Sequence, residues 1–84
     1  KMDELRQELT MTIAFNLMKA RKKRNMGKSE EEKITQSKLA EMSGVSRCTI
    51  SRIENGMFMP DLITLVCIAR ALDVELADLL DGIK

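Results

Sequence analysis

The 84 residues are 44% apolar and 32% charged, enough for one small core, with neither the composition of a disordered tail nor an apolar run of the roughly 18 residues a bilayer span needs. Histidine is absent, the two cysteines (Cys48 and Cys67) belong to no CxxC pair, and no Gly-rich phosphate loop occurs, which argues against a metal site, a cofactor and an enzyme. Net charge is +1, but the first 53 residues carry +5 and the last 31 carry −4, so one end suits phosphate and the other does not.

Taken in chain order, the first segment predicts one long helix over residues 2–25. Met2, Leu5, Leu9, Ile13, Leu17 and Ala20 recur at spacings of three and four and define an apolar stripe, which Phe15 and Met18 widen. Asp3 and Glu4 open it and Lys22, Lys23 and Arg24 close it, as the helix dipole favours. Gly27 is its natural stop, and the following stretch to Lys33 has no apolar residue and reads as an exposed loop. Thr35 then caps a helix over 36–43 with Leu39, Ala40 and Met42 apolar, ended by Gly44. Ser46 caps a helix over 47–54 with Ile50 and Ile53 turned inward, closed by Asn55-Gly56. After Pro60, Asp61 caps a helix running to about Leu72, with Leu62, Leu65, Ile68, Ala69 and Leu72 on its core side and Asp73 in the left-handed closing position. A last short helix, 75–80, contributes Leu76, Leu79 and Leu80. No alternating strand pattern occurs, so the predicted fold is all-α.

Residues 36–55 carry the functional signal. Two helices of about two turns each are joined by Ser43-Gly44-Val45, a turn length that sets helices at roughly 90–120°. Ala40 is small where the helices cross, Gly44 supplies a positive φ, and Leu39, Val45, Ile50 and Ile53 lock the pair. That geometry leaves the first half of the second helix projecting, free to enter a major groove.

The run TQSKLAEMSGVSRCTISRIENG (residues 35–56), a following proline, and IARALDVELADLL (68–80) resemble the phage repressor and Cro-type helix-turn-helix family, over roughly residues 13–80. The resemblance implies a compact five-helix, lambda-repressor-like DNA-binding domain spanning residues 1–84, whose third helix reads bases. It implies that Arg47, Cys48 and Arg52 face base edges, that Gln36, Ser46 and Asn55 lie at backbone-contacting or capping positions, and that Arg21 pairs with Glu54. Either arginine can donate two hydrogen bonds to guanine O6 and N7, and Cys48 offers an apolar face to a thymine methyl. Lys38 and Thr49 are expected beside the DNA backbone.

Three departures from the family pattern stand out: an inserted loop over 27–34 with three consecutive glutamates, an N-terminal helical extension over 1–12, and apolar residues where relatives are polar. Met57, Phe58, Met59, Ile63 and Cys67 form that apolar surface, expected either as a symmetric dimer contact or as self-packing. Leu5 and Leu9 either cover the core or meet a second subunit. The expected partners are double-stranded DNA with a palindromic operator and a second copy of the chain. No membrane partner is expected, and the expected location is the cytoplasm of a bacterium or phage host, at the nucleoid. The other functional class that fits is a protein-interaction module, such as an antitoxin gripping a toxin through the apolar surface.

Overall fold

A computed structural model describes residues 1–84. Five helices and no strand make up the fold: α1 (Met2–Arg24), α2 (Gln36–Ser43), α3 (Arg47–Glu54), α4 (Leu62–Leu72) and α5 (Leu76–Leu79). Helices α3, α4 and α5 all pack on α1, and α2 lies against α3 and α4.

The boundaries follow local chemistry. Thr35, Ser46 and Asp61 each accept the backbone N–H three residues on, satisfying a donor with no partner in the first turn. Gly44 ends α2 at φ +77° and Asp73 ends α4 at φ +55°, both in the left-handed region. Helix α1 stops one residue short of expectation, with Asn25 in the closing position and Gly27 left-handed two residues later. Helix α5 is shorter than expected, because Glu75 and Leu80 flank it as caps.

The core is a single cluster: Ile13 and Leu17 from α1, Leu39 from α2, Ile50 and Ile53 from α3, Leu65, Ile68, Ala69 and Leu72 from α4, Leu79 from α5, and Ile34 from the first loop. Several apolar residues expected there are not. Met2 and Leu5 are exposed, because Asp3, Arg6 and Gln7 rather than these residues face the 56–59 segment beside the opening turns of α1. Phe15, expected to widen the buried stripe, is 62% exposed on the opposite side of α1 from the core. Leu62, in the first turn of α4, is also exposed.

Asn16 occupies the inward position instead. Its Nδ2 donates to the carbonyls of Leu79 at 2.9 Å and Asp81 at 2.8 Å, tying α1 to the end of α5. The side chain is almost fully buried, yet its donors are used, so the burial is not penalised.

Candidate nucleic-acid interface

Helix α3 is eight residues long and sided. Ile50 and Ile53 are fully buried on one side, whereas Arg47, Cys48 and Arg52 are exposed on the other. Neither arginine side chain makes a hydrogen bond or ion pair with the rest of the chain, so both guanidinium groups keep their full set of donors. At the N-terminus of α3, the Ser46 hydroxyl accepts the Thr49 N–H at 3.1 Å and donates to the Thr49 hydroxyl at 2.9 Å. The turn before it is closed by Gly44 N–H donating to Ala40 O (2.9 Å) and Val45 N–H donating to Ser43 Oγ (3.1 Å).

The other end of α3 is held by a polar network. Arg21 from α1 grips Glu54 with two parallel bonds, Nε to Oε2 at 2.8 Å and Nη2 to Oε1 at 2.9 Å. Gln36, the first residue of α2, donates its Nε2 to the same Oε1 at 2.9 Å. Only 4% of the Glu54 side chain and 16% of the Arg21 side chain are accessible. Burial works to neutralise Glu54, but the hydrogen bonds from Arg21 and Gln36 and the charges of Arg21 and Lys22 outweigh it, holding its pKa below the ordinary carboxylate range. The hydrogen bond to Glu54 raises the Arg21 pKa against the desolvation that would lower it.

Arg21 also reaches the first loop, donating Nη1 to Ile34 O at 3.2 Å. Asn25 reinforces this point reciprocally: its Nδ2 donates to Ile34 O at 3.0 Å and its Oδ1 accepts Ile34 N–H at 2.7 Å. The glutamate-rich loop is thus pinched at its base. Its tip folds as one turn in which Glu32 Oε1 accepts from the Ser29 N–H and hydroxyl. Residues 28–32 are exposed throughout.

The remaining positions singled out from the sequence distribute around α3. Lys38 and Asn55 are exposed, Thr49 is half-buried beneath the cap, and Ser46 is exposed with its hydroxyl engaged. Gln36 is half-buried with one amide donor committed to Glu54, which leaves its carbonyl oxygen and second N–H. Beyond α3, Met57, Phe58 and Ile63 are exposed, with Leu62 beside them. Met59 is half-buried against the chain's own core, and Cys67 is half-buried as a free thiol. No sequence pattern announced the Asn25–Ile34 clasp or the Gln36–Glu54 bond. The Asn16 anchor did leave a trace, a poor helix former in the middle of a long helix.

Set beside known proteins, residues 17–79 match the family model described as helix-turn-helix. Over 47 residues the chain is 45% identical to an uncharacterized HTH-type transcriptional regulator, y4dL, of Sinorhizobium fredii (strain NBRC 101917 / NGR234), which covers 56% of this chain. The chain spans about a quarter (24%) of the length of that curated relative. No solved structure matches the chain.

Proposed function

The chain belongs to the helix-turn-helix family, and from that premise we propose that it binds duplex DNA sequence-specifically as a homodimer, as the DNA-reading part of a transcriptional repressor. The observation carrying this reading is the pair of exposed, unpartnered arginines on α3. Helix α3 enters the major groove with Arg47 and Arg52 donating to guanine edges and Cys48 against a thymine methyl. Ser46, Thr49, Lys38, Asn55 and the free side of Gln36 lie along the phosphates. Dimerisation through Met57, Phe58, Ile63 and Cys67 sets the two reading helices about 34–36 Å apart, in successive major grooves of a palindromic site.

Selection of bound duplexes from a random pool tests the reading directly, with a palindrome as the expected product. Arg47→Ala and Arg52→Ala are expected to lose ~1–3 kcal/mol of base discrimination each while the helix content stays unchanged. Wild type and both variants showing the same sequence preference would refute it.

The exposed Met57, Phe58, Leu62 and Ile63 favour a second reading, a module that grips a protein partner such as a toxin. Salt separates the two. DNA binding weakens steeply as salt rises, whereas an apolar protein contact barely responds.

A further inference from the structure

Phe15 is the more exposed of the two phenylalanines, and its surroundings along α1 are ordered. On the outward side of α1, Glu4, Glu8, Met11, Phe15, Met18 and Lys22 succeed one another at alternating steps of four and three residues. That spacing is a coiled-coil seam, distinct from the inward stripe of Ile13 and Leu17 that serves the core. All but the half-buried Met18 are exposed. The seam is acidic at its start, apolar in its middle and basic at its end. Lys19 leans over the Phe15 ring at 5.2 Å, and Phe15, Met18, Lys22 and Met26 border a shallow depression of about 450 Å³.

We propose that this seam pairs with the same seam of a second copy, the two α1 helices running antiparallel. In the register that sets Met11 opposite the partner copy's position 15, the central layers pair apolar side chains and the outermost layers pair opposite charges. Phe15 meets position 11, Glu8 lies between positions 18 and 19, and Glu4 faces position 22, with each contact repeated by the two-fold axis. Leu5, exposed beside Glu4, enters the depression bordered by Phe15 and Met18 of the other copy. The helix dipole explains why acids sit at the start of α1 and bases at its end. It does not explain why Glu4, Glu8 and Lys22 share one side of the helix with Met11 and Phe15. A second copy explains both.

Most of this seam lies on the side of α1 away from the core, but Met11 rests against Gly56, so the seam borders the surface that begins at Met57. A chain using both contacts would link two DNA-bound dimers. The α1 contact stands whether or not the DNA reading does.

Sedimentation over a concentration series tests it, with Ile63→Glu as background to remove the other apolar contact. The I63E chain is expected to remain a dimer and I63E/F15E to become a monomer, with helix content by circular dichroism unchanged because Phe15 serves no core. Charge reversal tests the register. E4K or K22E alone places like charges in two symmetric layers and is expected to weaken association about fivefold or more, whereas E4K/K22E restores it. A monomeric I63E chain, an F15E change without effect, or a double reversal no better than either single one would overturn the pairing. So would K22E and E4K/K22E losing duplex DNA equally at unchanged mass, an outcome that assigns Lys22 to phosphate.

Discussion

Replacing Glu54 by glutamine keeps the side chain's shape and deletes its charge, and the geometry of its contacts sets the cost. The carboxylate accepts three hydrogen bonds, two from Arg21 and one from Gln36. A glutamine amide offers one oxygen in their place and turns an NH2 group toward donors, so at least one Arg21 bond is lost and the guanidinium is left charged with 16% of its side chain in water. Breaking a buried pair from one side costs about 3–5 kcal/mol, and the lower end suits this partly accessible pair. At ~3 kcal/mol, a chain of this length is expected to lose about 12–24 °C in Tm. Thermal unfolding tracked by circular dichroism measures it. The pH dependence has a definite sign. Because the folded-state pKa of Glu54 lies below its ordinary value of 4.5, its contribution is complete above that value and is lost as pH falls through the lower folded value. The wild-type advantage over E54Q is therefore constant at neutral pH and shrinks on acidification below pH 4.5. A Tm loss of only a few degrees, or an advantage that grows with acid, would refute this account of the network.

Two further substitutions probe the scaffold around α3. Asn16→Ala removes the donors to Leu79 O and Asp81 O and is expected to cost ~1–3 kcal/mol in denaturant unfolding, loosening the end of the chain as seen by amide exchange. Gly44→Ala meets no neighbouring atom within 4 Å, so its expected cost of ~1–2 kcal/mol comes from the left-handed backbone alone; a neutral result would mean the α2–α3 turn relaxes without penalty.

What could be read from the sequence was what local chemistry decides. Thr35, Gly44, Ser46, Asp61 and Asp73 each act within a turn of their own position, and each bounds the helix it was expected to bound. The inward side of α3 was legible for a related reason, since Ile50 and Ile53 repeat at helical spacing with polar residues between. In α4 Leu65, Ile68 and Leu72 keep the spacing, but their neighbours are largely apolar, and Leu62 was read as inward although it is exposed. Helix α1 was harder because it carries apolar residues on more than one side. Periodicity says that Phe15 is apolar at a regular position, but not whether another element arrives to cover it. Asn16 is buried because carbonyls 63 and 65 residues away come to meet its amide, and no window of sequence contains that information. Ile34 is similar: its burial depends on Asn25 and Arg21 closing the loop from the other side.

An eight-residue helix has little stability of its own, because so short a segment does not repay its nucleation. Helix α3 nevertheless presents Arg47 and Arg52 with their heads in solvent. It is fixed at its start by the Ser46 cap and the left-handed Gly44, along its length by Ile50 and Ile53, and at its end by Glu54 clamped between α1 and α2. None of these restraints uses the Arg47 or Arg52 side chain, so the donors of both stay free. The same arrangement shields α3 from the acidic loop. Asn25 and Arg21 fasten Ile34 before α2 begins, so the exposed turn at Ser29–Glu32 is separated from Gln36 and Glu54 by a fixed point. Loop length enters closure entropy only logarithmically, so this fold carries the exposed connection between α1 and α2 at small cost while α3 keeps its place.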